Sequence, residues 1–283
     1  MSADRLAKQW SEEGYIKVVG MFDSERVERL KSVCESILDQ WRVENPEKGE
    51  PGGGPESNVM RHLNHPSYGE HRLEILKAAA STSVLETASV IFDGPARFHC
   101  TSLFFNPIEN SRDGNWHRDS QFRSDTDQEE QRHLNERAHA ATGVQLQVAL
   151  IENDDVEFVP ASHLRWDTPE EYHIRKADEQ ANNRSNNMPG AIRIALKPGD
   201  AVAFNPLGIH RGRYYIDIPR LTLMLTYRAA QSPKVFDYFS DQPWFLSDGY
   251  LTGLSAKVRT FYKTYIDTYR EDWLTNTAAK PWP

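Results

Sequence analysis

The feature that most constrains the fold is a change of texture after "DGP" at residues 93–95. Upstream, apolar residues recur at three- and four-residue spacing. Downstream, "ARFHCTSLFFN", "TGVQLQVALIEN", "VEFVP", "GAIRIALK", "DAVAFN" and "RLTLMLTYR" are short and rich in β-branched and aromatic residues. Pro, Gly, Asn and Asp bound them. Runs of this kind must pair with one another, because a lone strand leaves its backbone groups and its apolar face unpartnered. "KPGD", residues 197–200, is a Pro-Gly turn joining two of them. The expected architecture is mainly β with flanking helices, an α+β chain around an antiparallel sandwich or double-sheet jelly roll.

The helical parts are legible from the same periodicity. Residues 3–12 read as a helix ended by Gly14, and "YIKVVG" as a short strand. Asp23 or Ser24 caps a second helix, in which Val27, Leu30, Val33, Cys34, Ile37, Leu38 and Trp41 form one apolar face. "PEKGEPGGGPESN" is a loop by its Gly and Pro content. Residues 71–92 read as helix broken near Ser81. Val258, Phe261, Tyr262, Tyr265, Ile266 and Tyr269 space out as a C-terminal amphipathic helix, a lid, a core cap or a dimer face. The polar stretches 123–139 and 165–188, with 43–58, read as loops that shape a pocket entrance. With no repeat and no linker, one domain is expected over 1–283. It comprises a helical part to about residue 95, a strand core over about 96–230 and a helical segment at about 255–272.

Charge and cysteine content exclude several functions. The formal charge is -8 with no basic stripe, so nucleic acid and anionic membranes are poor partners. No apolar run approaches the roughly 20 residues of a membrane helix. "MSADRLAKQW" has neither a secretory core nor an Arg-rich transit pattern, which predicts a soluble, cytoplasmic protein. Cys34, on a buried helix face, reads as a reduced core thiol. The chain has two cysteines, Cys34 and Cys100, too few for a thiolate cage, so any metal site must use His and carboxylate.

"GNWHRDSQF" supplies such ligands. His117 and Asp119 follow a strand, and in extended backbone residues two apart share a face. His210, after the strand and turn "GDAVAFNPLG", is the candidate third ligand. Two His and one carboxylate on one face leave three positions open on six-coordinate iron, an arrangement suited to non-haem Fe(II) oxygenases. Such enzymes commonly draw two electrons from a keto acid whose distal carboxylate needs a cation. Arg220 fits, since a guanidinium fork grips carboxylate in bidentate fashion. Alternation puts Arg220, Thr222, Met224 and Thr226 on one strand face, where Thr222 offers a hydroxyl. Gln145 and Gln147 share a face of another strand and suit a polar cavity better than an apolar core.

The order "WHRD", "VQLQVALIENDDVEFVPASH", "LKPGDAVAFNPLGIHRG", "PRLTLMLTYR", with the opening "WSEEGYIKVVGMFDSERVERLKSV", resembles the phytanoyl-CoA dioxygenase family. The resemblance runs from about residue 8 to about 230. It implies a double-stranded β-helix, cupin-like core, ferrous iron on His117, Asp119 and His210, and 2-oxoglutarate and O2 as cosubstrates. Arg220 then meets the 2-oxoglutarate carboxylate, and Gln147 faces the cosubstrate. Halogenating relatives carry Gly or Ala at the carboxylate position, so Asp119 favours oxygenation. Two departures lie near the site: "ENDDVEFVPASH" lacks both glycines of the familiar "ENGxLxxxPGSH", and "IENSRDGN" is a longer insert.

The reading is a dioxygenase that hydroxylates a small, polar or charged organic molecule and releases succinate and CO2. Two alternatives stay open. One is desaturation, cyclisation or epimerisation with the same cofactors. The other is a non-catalytic jelly-roll binding protein. A monomer and a homodimer are both compatible with the sequence. Arg61, His62 and Asn64 are candidates for the cavity mouth or a solvated loop, and His163 for a loop hydrogen bond or a substrate contact. Arg118 is expected to point away from its neighbours into a carboxylate pair, and Trp116 and Phe122 to pack. His99, His133, His139 and His173 are expected at the surface or in packing.

Overall fold

The computed structural model describes residues 3–47, 50–51 and 58–278. Its strands, in chain order, are β1 (Tyr15–Val18), β2 (Val59–Arg61), β3 (Ala96–Phe105), β4 (Arg112–Asp113), β5 (Gly143–Ala149), β6 (Val156–Phe158), β7 (Ile192–Arg193), β8 (Ala201–Phe204), β9 (His210–Tyr214) and β10 (Leu221–Ala229). The main helices are α1 (Ala3–Glu13), α2 (Ser24–Glu44), α3 (His71–Ala79), α4 (Thr82–Phe92), α5 (Asp127–Arg137), α6 (Pro169–Arg175) and a C-terminal helix (Ala256–Leu274). All strand pairs are antiparallel, in a six-stranded sheet ordered β1-β8-β5-β10-β3-β2 and a four-stranded sheet ordered β4-β9-β6-β7. The chain leaves the larger sheet after β5, returns at β8, leaves for β9 and returns at β10.

Side-chain alternation decides what each face of the larger sheet meets. Leu221, Leu223, Leu225 and Tyr227 of β10, with Val144, Leu146 and Val148 of β5, join the helices in the main core. The residues between them face the smaller sheet. Ala149, Val202 and Phe204 pack there against Val156 and Phe158. Beside this second core the inward face turns polar and opens into a cavity lined by Gln145, Gln147, Met224 and Thr226. The helices thus keep one face of the sheet dry while the other carries the site.

Local signals hold where predicted. Asp23 caps α2, its carboxylate accepting from the Arg26 amide at 2.8 Å. Ser81, extended at φ −68° and ψ 151°, separates α3 from α4. Cys34 and Cys100 are free and buried. The C-terminal helix caps the core: Tyr262, Tyr265 and Tyr269 are buried, and their hydroxyls donate to the carbonyls of Leu76, Ser240 and Val235.

Three expectations need correction. The stretch 123–139 is not a loop: Thr126 caps α5 through the Glu129 amide. The stretch 165–188 contains α6, started by a full capping box of Thr168 and Glu171. Both helices are strongly polar, and their buried faces are held by ion pairs that periodicity of apolar residues does not reveal. "HRGRYY" was not expected as a strand, yet it forms β9, whose Arg211 is buried against Glu157 and the Trp116 ring. Of the expected loop 43–58, residues 48–49 and 52–57 lie outside the described residues. Among the described residues no single helix is long and apolar enough to cross a membrane.

Candidate active site

Backbone pairing brings the three predicted ligands together. The His117 amide donates to the His210 carbonyl at 3.1 Å, and the His210 amide returns a bond to His117 at 3.0 Å. Arg118 is extended, so Asp119 returns to the side of His117, and its amide is tied to the Pro206 carbonyl at 2.9 Å. One ligand atom from each of His117, Asp119 and His210 lies within 4.8 Å of the others. Both imidazole Nε2 atoms stand 3.7 Å from Asp119 Oδ1.

Hydrogen bonds outside this cluster fix its chemistry. His117 Nδ1 contacts the Asn115 carbonyl at 2.7 Å and His210 Nδ1 the Gly208 carbonyl at 2.9 Å. A carbonyl only accepts, so each Nδ1 carries the proton and each Nε2 presents a lone pair. Gln145 donates to Asp119 Oδ2 at 2.6 Å and leaves Oδ1 facing the imidazoles. Burial, with His117 beside it, holds His210 well below the ordinary imidazole value, so it is neutral. Burial also pushes the Asp119 carboxyl up, against the pull of His117, Arg123 and Arg61. Two nitrogens, one carboxylate oxygen and backbone-oriented rings make a donor set that fits a divalent iron ion.

Arg118 anchors the segment from behind. Its guanidinium is buried, donates to the Ser162 and Leu207 carbonyls at 2.6 and 2.5 Å and pairs with Asp167 at 2.9 Å. Asp167 in turn takes Arg175 at 2.7 Å, which reaches Glu130 of α5 at 2.9 Å. Charges this deep are tolerable only when paired, so α5, α6 and the ligand segment are fixed relative to one another.

The three side chains open on a cavity of about 520 Å³, within the usual range for small-molecule sites. Arg220 lines it, its guanidinium between the rings of Phe104 and Tyr214 at 4.8 and 4.5 Å. Its Nη1 donates to the Arg213 carbonyl at 2.9 Å. Its Nε lies 3.4 Å from Asp155 Oδ2, an ion pair without a formed hydrogen bond, and both atoms lack a hydrogen-bond partner. Gln147 Oε1 and Thr222 Oγ1 are likewise buried without a partner. Unpartnered polar atoms on this side of the sheet suit a ligand rich in oxygen.

The structure sorts the other candidates. Gln145 and Gln147 line the cavity; Thr222 shares their face but is buried outside the lining. Of the 60–68 segment, Arg61 reaches the cavity, whereas His62 stacks on Tyr238 at 5.1 Å and Asn64 is buried against Gln242 and Tyr250. His163 is buried away from the lining, its ring against Gly14. Trp116 packs as expected. Phe122 does not: it is 37% exposed and lines the cavity, its ring 5.4 Å from that of His117. His99 also lines the cavity, contrary to expectation. The β10 register jumps from Thr226 opposite Cys100 to Tyr227 opposite Phe98, leaving His99 unpaired in a bulge that re-aims it inward. Sequence reasoning missed Arg123, Arg137 and Arg228, which also line the cavity. Continuing the alternation Arg220, Thr222, Met224, Thr226 by one step would have found Arg228.

A phytanoyl-CoA dioxygenase family model matches residues 10–214. The chain belongs to the phytanoyl-CoA dioxygenase family. As a member, it is a non-haem iron- and 2-oxoglutarate-dependent enzyme, which decides against a binding protein. Curated protein sequences give no match. Among solved structures, EctD from S. alaskensis with 2-oxoglutarate and 5-hydroxyectoine is 20% identical, with a TM-score of 0.61 over 92% of this chain and 86% of EctD. The epimerase SnoN in complex with Fe3+, alpha ketoglutarate and nogalamycin RO is 20% identical, with a TM-score of 0.57 over 87% of this chain and 92% of SnoN. The alpha ketoglutarate dependent carbocyclase SnoK is 14% identical, with a TM-score of 0.57 over 81% of this chain and 87% of SnoK. This phytanoyl-CoA dioxygenase family member shares their fold.

Proposed function

We propose that the enzyme hydroxylates a small organic molecule, with His117, Asp119 and His210 holding Fe(II) and Arg220 holding the distal carboxylate of 2-oxoglutarate. The two sheets are read as the halves of a double-stranded β-helix, and the whole chain as one catalytic domain. Bound iron and 2-oxoglutarate supply the oxidising chemistry: O2 and the keto acid become succinate, CO2 and one oxygen atom delivered to a C–H bond. The protein's residues bind, orient and exclude water. The Asn115 and Gly208 carbonyls hold the imidazoles in the ligating tautomer, and Gln145 turns one oxygen of Asp119 toward them. Gln147 and Thr222 are proposed to add polar contacts on the cosubstrate side. Two buried free cysteines suit the proposed reducing, cytoplasmic setting.

One observation carries the assignment: three ligand atoms from distant parts of the chain converge within 4.8 Å. Desaturation, cyclisation or epimerisation would use the same constellation, and the likeness to an epimerase and a carbocyclase keeps that second reading open. The test is anaerobic Fe(II) titration together with succinate release in air. His117→Ala should lose stoichiometric iron binding and succinate release together while keeping its fold. Iron uptake equal to wild type in His117→Ala would sink the ligand assignment.

A further inference from the structure

The chain carries a net charge of -8, yet eight arginines line its cavity, and Asp119 is the one carboxylate among the described lining residues. These arginines are not equivalent. Arg211 is consumed by Glu157 and Asn186, and Arg220, the residue assigned to the cosubstrate, stands beside Asp155 with one bond to the Arg213 carbonyl. Arg228 and Arg137 differ: among the described residues neither side chain meets a carboxylate or makes a hydrogen bond, and Arg228 Nε is buried without a partner. Arg123 lines the cavity with them, and its carboxylate partner among the described residues, Asp237 at 2.7 Å, is shared with His99 at 3.6 Å. Burial, with the neighbouring Arg123 and Arg137, pulls the Arg228 guanidinium down to about 10, against the opposing pull of Tyr269 and Asp237.

The position of this cluster gives it meaning. Arg220 precedes β10 and Arg228 lies near its end. Between them Met224 pairs with Gln147, and Thr226 with Gln145, whose amide holds Asp119. Arg228 is therefore two residues beyond the level of the ligand cluster, about 7 Å along the strand, on the side away from Arg220. Arg137, in the last turn of α5, and Arg123, four residues after Asp119, line the same cavity and are near enough for their charges to act on Arg228. Arg228 and Arg137 are half-buried; a partly desolvated guanidinium with no carboxylate in contact is costly, and a cavity that holds two is suited to an anion that pairs with them.

We propose that the substrate is an organic anion whose carboxylate or phosphate group is held by Arg228 and Arg137, at the end of the cavity opposite Arg220. This rests on the reading of the site as an Fe(II)/2-oxoglutarate centre, since that reading assigns Arg220 to the cosubstrate. The anion fixes one end of the substrate, so the carbon chain beyond it lies against the His117, Asp119 and His210 cluster. Phe122 and Phe239, which line the same region, offer apolar surface for that chain. Neutral analogues would leave two guanidiniums unpaired and bind poorly.

Calorimetry on anaerobic protein loaded with Fe(II) and saturated with 2-oxoglutarate tests this. The probes are inorganic phosphate, benzoate and neutral benzamide. Phosphate or benzoate should bind and benzamide should not, and which anion binds tells phosphate ester from carboxylate. Arg228→Gln should weaken that binding at least about tenfold, as expected for one lost charge-assisted contact. Arg228→Lys should recover part of it, and Arg137→Gln should weaken it on a separate element, so a misfolded Arg228→Gln does not remove the test. Arg220→Gln should weaken 2-oxoglutarate binding and spare the probe. The proposal falls if neither anion binds, if Arg228→Gln and Arg137→Gln bind as wild type does, or if only Arg220→Gln loses the anion. Iron and 2-oxoglutarate uptake are measured in the same samples and the probes are titrated into metal-free protein as well. Failure of the iron-site reading is thereby distinguished from failure of the anion site.

Discussion

At the scale of single residues, the site depends on atoms that present the right lone pair or proton in the right direction. The imidazoles of His117 and His210 are useful because backbone carbonyls hold their Nδ1–H groups, and this orientation is invisible in the motif "WHRD". Arg220 is set by stacking and by one carbonyl as much as by charge. Replacing it with Gln removes a fork that a carboxylate would engage, so the KM for 2-oxoglutarate should rise about 10- to 100-fold. Steady-state kinetics with 2-oxoglutarate as the varied component measures this, and an unchanged KM would reassign Arg220. Gly212 tests the same group from outside. A Cβ there would lie 2.9 Å from Arg220 Nη1 and 2.7 Å from Tyr214 Oη. Gly212→Ala should raise the KM for 2-oxoglutarate while leaving iron stoichiometry at the wild-type level. Loss of iron along with the KM change would mean that β9 itself had moved.

At the scale of elements, short local signals performed well and long polar ones poorly. "KPGD" forms the predicted turn: the Asp200 amide bonds the Lys197 carbonyl at 2.9 Å, and Gly199 sits at φ +89°. A Cβ on Gly199 would also meet the Phe22 carbonyl oxygen at 2.3 Å. Gly199→Ala should cost about 1–3 kcal/mol through backbone strain alone, and more if Phe22 must move. Thermal unfolding of the metal-free protein reads the loss, and an unchanged Tm would contradict the turn geometry. By contrast α5, α6 and β9 were not legible as elements. Their buried faces carry Glu130, Arg175 and Arg211, paired among themselves or with Asp167 and Glu157, and a buried charge looks like an exposed one until its partner is known. The bulge at His99 is a second example, since alternation along β3 gives no hint of where it breaks.

At the scale of the whole molecule, a chain of net charge -8 encloses a cavity rich in arginine, and several imidazoles are buried in the neutral form. Burial lowers His62 from 6.5 to about 4 and His99 from 6.5 to about 3. A folded value below the unfolded one means that the unfolded chain binds the extra protons. Stability from these groups is therefore full above about pH 6.5 and declines as the pH falls toward 4, by roughly 1.4 kcal/mol per unit for each residue. Urea unfolding of the metal-free protein at pH 7 and pH 5 should show the drop, and equal stabilities would mean that these rings are not buried neutral. The sequence by itself determined the strand-rich middle and the helical flanks and singled out His117, Asp119, His210 and Arg220 as candidates, because alternation, turn chemistry and ligand type are local properties. Only the tertiary structure decided that the imidazoles face one carboxylate oxygen, that Phe122 and His99 line the cavity, and that Arg228, Arg137 and Arg123 line it with them. Those facts depend on which distant strands and helices lie side by side, and no local pattern encodes the pairing of charges across that distance.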